Sequence, residues 1–210
     1  DGYEWVVDID LERFFDTVPQ DKLMSIIHFV IKAPDTESLI RKYLKAGVMN
    51  KGVFEKSEKG TPQGGNLSPL LSNIMLNVLD KELEARNLRF TRYADDCLIF
   101  VGSRAAATRV MHSITRFIEK KLDLKVDAEK SRVSRPSNLK YLGFGYWKDS
   151  KAGEWKVRPH ENSINKFWKR LKELTKRRWS INFDYRLKKL NEVIRGWINY
   201  FRIGSMKAKL

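Results

Sequence analysis

Phe90-Thr91-Arg92-Tyr93-Ala94-Asp95-Asp96-Cys97-Leu98-Ile99-Phe100-Val101 sets two apolar, β-prone runs around a short Ala-Asp-Asp centre, which is the pattern of a tight hairpin. Adjacent acids at a hairpin tip have an ordinary structural explanation, because Asp is a common turn residue. An acidic strand upstream offers a second one. Trp5-Val6-Val7-Asp8-Ile9-Asp10-Leu11 is a β-branched run with two carboxylates two residues apart, hence on one strand face. A buried strand seldom accepts acids without a cation or partner, since desolvating a carboxylate is costly.

The economical arrangement brings Asp10 beside the Asp95-Asp96 turn around divalent metal. Mg²⁺ prefers oxygen ligands, and two such ions can activate a 3′-hydroxyl and stabilise a leaving pyrophosphate. His28, His112 and His160 show no ligand spacing for a separate histidine-based metal site.

The 210 residues, 42% of them hydrophobic, suffice for a core in one large domain or two small ones. One cysteine excludes a disulfide framework and suits a reducing compartment such as a bacterial cytoplasm. No apolar run approaches the roughly 20 residues needed to span a bilayer. The sequence starts at Asp1 directly before a strand, without an initiator Met, as a piece of a longer protein would.

The formal charge of +15 is segregated. Residues 1–100 carry 13 Lys and Arg against 16 Asp and Glu, and the remainder 28 against 10. An acidic half beside a basic half suits a metal site next to a polyanion. A generically basic surface would explain the total charge but not its distribution.

On these residues the chain resembles reverse transcriptases. Tyr93-Ala94-Asp95-Asp96 is similar to their Tyr-x-Asp-Asp box, and Asp10-Leu11-Glu12-Arg13-Phe14-Phe15-Asp16 to their first palm motif. Gly60-Thr61-Pro62-Gln63-Gly64-Gly65-Asn66-Leu67-Ser68-Pro69 resembles the Pro-Gln-Gly-Gly-x-Leu-Ser-Pro loop of the group II intron (maturase) branch. The motifs stand in the family's order, and the resemblance spans essentially the whole chain.

The resemblance implies an α+β fold. Residues 1–158 would form a reverse-transcriptase-type palm, an antiparallel sheet with covering helices, and 159–210 a basic helical thumb or maturase-specific region. It implies an RNA-directed DNA polymerase acting by two-Mg²⁺ nucleotidyl transfer, with Mn²⁺ a possible substitute. Asp10 and Asp95 would bridge the ions, Asp96 would be a ligand or electrostatic support, and the Leu11 carbonyl a further ligand. Pro62, Gln63, Gly64 and Tyr93 would face template or nucleotide. Lys130 would lie near nucleotide phosphates, although an exposed turn lysine is an equal reading of that residue. Counting from Asp10 favours Phe15 over Phe14 as the ring that excludes a ribose 2′-hydroxyl, unless the pair is core. Leu142, Gly143 and Phe144 fall in a stretch similar to the primer-grip hairpin.

The partners implied are group II intron RNA, an RNA template with a DNA primer, and deoxynucleoside triphosphates, with no membrane. Lys166, Lys169, Arg170, Arg177 and Arg178 would contact RNA phosphates. A splicing cofactor whose polymerisation is secondary or lost is the alternative, which the three intact acids disfavour. The family's fingers are missing from this stretch, so these residues alone should polymerise weakly or not at all.

Local patterns supply the scaffold. The apolar positions Leu23, Ile26, Ile27, Val30 and Ile31 make one helix stripe, and Asp35 or Thr36 can cap the next helix. Ser68-Pro69 opens a long helix, Ser103 caps another, and a strand-sized piece lies at Leu124–Val126. The aromatics from Phe167 to Phe201 have helical spacing and read first as core.

Overall fold

The structure, a computed structural model, describes residues 2–50, 53–55, 59–62, 65–178 and 181–205, with backbone alone for 48–50 and 53–55. It comprises two compact units, Asp1–Ser134 and Arg135–Leu210. In the first, β1 (Trp5–Ile9) leads through a short α1 (Phe14–Thr17) to α2 (Gln20–Ile31) and α3 (Pro34–Lys45). The hairpin of β2 (Val48–Asn50) and β3 (Val53–Glu55) follows. Next come α4 (Ser68–Ala85), the hairpin of β4 (Arg89–Tyr93) and β5 (Asp96–Val101), and α5 (Arg104–Phe117). A π-helical turn over Ile118–Leu122 extends α5, and β6 (Arg132–Ser134) closes the unit.

These strands form an antiparallel sheet in the order β4-β5-β1-β6. Alternation then divides the sheet into two faces. Val7, Ile9, Leu11, Cys97, Ile99 and Val101 share one buried core with Leu23 and Ile27 of α2, Met75 and Leu79 of α4, and Ile114 of α5. Asp8, Asp10 and Asp96 therefore fall on the opposite face, where burying an acid against the helices is not required. The sheet and its covering helices are those expected from the sequence.

Three local expectations are corrected. In α2, Val30 is 75% and Ile31 41% exposed, so the buried stripe is Leu23, Met24 and Ile27 only. Helix α3 begins at Pro34 after extended Ala33, one turn position ahead of Asp35 and Thr36. Proline suits that first position because its missing N–H would have no partner there. Ser68-Pro69 opens α4 as the sequence indicates, and the Ser68 hydroxyl donates to the Pro62 carbonyl at 2.5 Å. Leu124–Val126 forms no strand: Val126 makes a single bridge to Leu11. The Ser103 cap is present, accepting from the Ala106 amide at 3.2 Å.

The second unit contains a three-stranded antiparallel sheet of β7 (Lys140–Tyr141), β8 (Phe144–Lys148) and β9 (Trp155–Pro159). Helices α6 (Glu161–Leu174) and α7 (Phe183–Phe201) follow. An aromatic ladder joins them: Phe167 stacks on Trp197 at 4.6 Å, Trp197 meets Phe201 at 4.7 Å, and Phe201 meets Phe144 of β8 at 4.9 Å. Tyr185, Leu187, Ile198 and Tyr200 remain largely exposed, so only part of the aromatic run is core.

Leu79 and Val30 test this division. Leu79→Ala should lower the unfolding free energy by about 2–5 kcal/mol, read from urea denaturation. Val30→Ser, at an exposed helix end, should change it by less than about 0.5 kcal/mol.

Candidate active site

The register of β1 and β5 pairs Asp8 with Leu98 and Ile9 with Cys97. Continued by one residue, it sets Asp10 opposite Asp96. Asp95 occupies the two-residue turn between Tyr93 and Asp96, which pair across the hairpin. Its neighbour Ala94 has φ +53°, a left-handed conformation that a residue with a side chain adopts only under constraint. The register thus sets Asp10, Asp96 and the Asp95 turn at neighbouring positions of two adjacent strands.

Their electrostatics follow from that placement. Burial, then the charges of Asp95 and Asp10, raises the Asp96 carboxyl above its ordinary value. Burial also raises Asp8, opposed by the Arg132 guanidinium at 3.6 Å and reinforced by Asp96 and Asp10. Burial pushes the Cys97 thiol up to about 12, so it is no nucleophile at neutral pH.

Asp10 is held by Ser131 and Asp127, which the sequence did not single out, and by Lys130, which it did. Its amide donates to Ser131 Oγ at 3.0 Å, and the Ser131 hydroxyl lies 3.3 Å from its carbonyl. The Asp127 amide also donates to that carbonyl, at 2.9 Å. Lys130 reaches Asp10 Oδ1 at 3.4 Å and Asp127 Oδ2 at 2.9 Å. A lysine 120 positions from its acid leaves no local signal. The hydrogen bond to Asp127, and after it the charge of Asp10, raises the Lys130 ammonium above its usual range.

Leu11 bridges Val126 while the hydrogen bonds run from Glu12 N to Lys125 O and from Asp127 N to Asp10 O. In such a non-hydrogen-bonded antiparallel pair the two residues turn their own carbonyls away from each other. The Leu11 carbonyl is accordingly directed toward the β5 side, where the hairpin tip lies.

Among the described residues no group of three or more His, Cys, Asp or Glu is gathered tightly enough to hold a metal ion. In chemistry alone, carboxylate and carbonyl oxygens of Asp10, Asp95, Asp96 and Leu11 are the donor type that a hard divalent cation prefers. Asp96, whose carboxyl is raised by burial and by the Asp95 and Asp10 charges, would be relieved by a cation.

Beside the acids, Phe14 is buried and Phe15 half-buried, with rings edge-to-face at 5.4 Å. The start of the glycine-rich loop is fastened there. Gly60 N donates to Val18 O at 2.8 Å and Thr61 N to Phe15 O at 2.7 Å. A Cβ on Gly60 would come 2.5 Å from the Phe15 carbonyl oxygen, and its φ is +80°, so glycine is required. Pro62 is half-buried; Gln63 and Gly64 lie outside the described residues. Tyr93 is exposed.

In the second unit, Leu142 (φ +49°) and Gly143 (φ +80°) form the turn before Phe144. Tyr200 donates to the Leu142 carbonyl at 2.9 Å and Ser163 to that of Gly143 at 2.8 Å. Lys166, Lys169, Arg170, Arg177 and Arg178 are all exposed.

Comparison with known proteins bears on the family and the fold. The family model for reverse transcriptase (RNA-dependent DNA polymerase) matches residues 1–146, and that for the group II intron maturase-specific domain residues 164–210. Protein YkfC of Escherichia coli (strain K12) is 30% identical over 189 residues, covering 73% of this chain and 50% of that protein. Group II intron-encoded protein LtrA of Lactococcus lactis subsp. cremoris is 33% identical over 132 residues, covering 63% of this chain and 21% of that protein. The chain thus spans half the length of one relative and about a fifth of the other. A telomerase structure from Candida albicans matches 95% of this chain and 39% of its own, with TM-score 0.59 at 14% identity, a likeness of fold alone.

The raised Asp96 carboxyl makes a signed prediction. Below the ordinary carboxylate range both folded and unfolded chains carry the proton, and Asp96→Asn is silent. As pH rises through that range the unfolded chain ionises first, so the wild type loses stability that the Asn variant keeps. Urea unfolding from pH 3 to 7 should show the variant gaining on the wild type with pH, modestly because Asp96 is partly exposed.

Proposed function

The chain belongs to the reverse transcriptase (RNA-dependent DNA polymerase) family, in the branch carrying a group II intron maturase-specific domain, and from that premise we propose that it is the catalytic core of an RNA-templated DNA polymerase. The observation that carries this reading is the register that sets Asp10 opposite Asp96, with Asp95 in the adjoining turn. Divalent ions, Mg²⁺ in this reading, would be held by Asp10, Asp95, Asp96 and the Leu11 carbonyl; when bound they supply Lewis acidity and charge neutralisation for phosphoryl transfer.

The remaining work is positioning. Asp10 is fixed by Ser131 and Asp127 through its own backbone, so the point from which its side chain departs is held in place. Lys130, the cation beside Asp10, is suited to exchange that partner for a nucleotide phosphate. Phe15, with Phe14 buried behind it, is the ring available to a sugar face. Leu142, Gly143 and Phe144 are braced by α6 and α7 and suit a grip on the primer end. In functional terms we divide the chain into a palm over 1–158 and a basic thumb or maturase region over 159–210.

A second reading has its own observation. The exposed basic face of α6, with Lys166, Lys169 and Arg170, lies within residues matched to the maturase-specific domain, which supports binding of group II intron RNA to assist splicing. Both activities can reside in one protein.

Primer extension on an RNA template tests the first. In the intact protein, Asp95→Ala should abolish Mg²⁺-dependent extension while leaving intron RNA binding unchanged; near-parental extension would reject the assignment of the acids. Phe15→Val should raise ribonucleotide incorporation relative to deoxyribonucleotide, read from alkali-sensitive product.

A further inference from the structure

Behind the hairpin, Arg92 makes a set of bonds that the surface ion pairs do not. Its Nε and Nη2 fork onto Asp80 Oδ1 and Oδ2 of α4 at 2.7 and 2.6 Å. Its Nη1 donates to Asn73 Oδ1 at 3.1 Å and to the Ala94 carbonyl at 2.8 Å. The Arg92 side chain is 10% exposed and Asp80 20%, against 76% and 34% for the Arg13–Asp16 pair.

A pair so far out of water is a poor stabilising device. Hydrophobic residues of similar volume commonly serve the fold as well or better. What apolar residues cannot supply is the directed bond to Ala94. That carbonyl belongs to the peptide plane whose nitrogen is Asp95, and a peptide is planar. Holding the oxygen therefore fixes the plane from which the Asp95 side chain departs. It also constrains Ala94 in its left-handed conformation. Lysine offers one compact charge and cannot span Asp80, Asn73 and Ala94 at once.

We propose that Arg92 is a positioning residue: anchored on Asp80 and Asn73, it locks the Ala94–Asp95 peptide so that the turn acid is presented beside Asp10 and Asp96. The proposal rests on the polymerase reading of those acids. It assigns Arg92 no contact with substrate and Asp80 no part in the acid cluster, although Asp80 is itself an acid.

The test compares Arg92→Lys, Arg92→Met and the double variant Arg92→Met/Asp80→Leu in the intact protein. Each is read by single-nucleotide primer extension, by urea unfolding, and by hydrogen exchange at the amides of residues 94–97. Arg92→Lys and Arg92→Met should lower kcat by about 10²-fold, the loss typical of a roughly 1 Å misplacement, with the nucleotide KM unchanged. Both should speed exchange in the turn. The double variant, which leaves no buried carboxylate unpaired, should recover the unfolding midpoint but neither kcat nor protection. Recovery of kcat together with the midpoint would overturn the proposal, because the pair would then be structural only. So would parental kcat in Arg92→Lys. Asp95→Ala in the same assay separates the two levels. If it extends primers like the parent, the polymerase reading fails, and exchange decides the clamp alone: unchanged protection at 94–97 rejects it.

Discussion

Like charges brought together are the constraint that the first unit is built around. Asp8, Asp10 and Asp96 occupy one face of adjacent antiparallel strands, with Asp95 in the turn beside them. Burial first, and the neighbouring carboxylates after it, raise the Asp8 and Asp96 carboxyls above their ordinary value. A fold selected for stability alone would not gather them.

The surrounding structure answers the repulsion from several sides. The helices crowd the other face, so Val7, Ile9, Cys97 and Ile99 supply the burial while the acids are left at the rim. Arg132 stands against Asp8, and Lys130 against Asp10 and Asp127. Backbone bonds from Asp127 and to Ser131 hold Asp10 without consuming its carboxylate oxygens. Left-handed Arg13 and Ala94 sit at the ends of the two acidic segments. Strain of this kind collects at functional sites, where neighbouring structure over-determines the backbone.

The second unit solves a different problem. Its charge is predominantly basic, 20 Lys and Arg against 6 Asp and Glu, and its core is aromatic, running from Phe167 through Trp197 and Phe201 to Phe144. Flat rings fill a thin layer between two helices and a small sheet with few rotatable bonds. The Leu142-Gly143 turn, bound to Ser163 and Tyr200, is thereby made as rigid as the helices that hold it. A Cβ at Gly143 would press on both Ser163 and Phe201, which explains why glycine stands there.

The sequence by itself determined what depends on near neighbours. Runs of β-branched and apolar residues marked β1 and β5, turn chemistry marked the Ala94-Asp95 tip, and the Ser103 cap needed only three residues of context. The same local logic misjudged Val30 and Ile31, because a helix stripe records apolar spacing but not where the facing element ends. It also could not foresee that Leu124–Val126 gives a single bridge. Tertiary structure alone decided which distant residues serve the acids. Lys130 and Ser131 meet Asp10 across about 120 positions, and Arg92 finds Asp80 only because α4 folds back along β4. Such pairings depend on the path of the chain in space, and no periodicity in the sequence encodes that path.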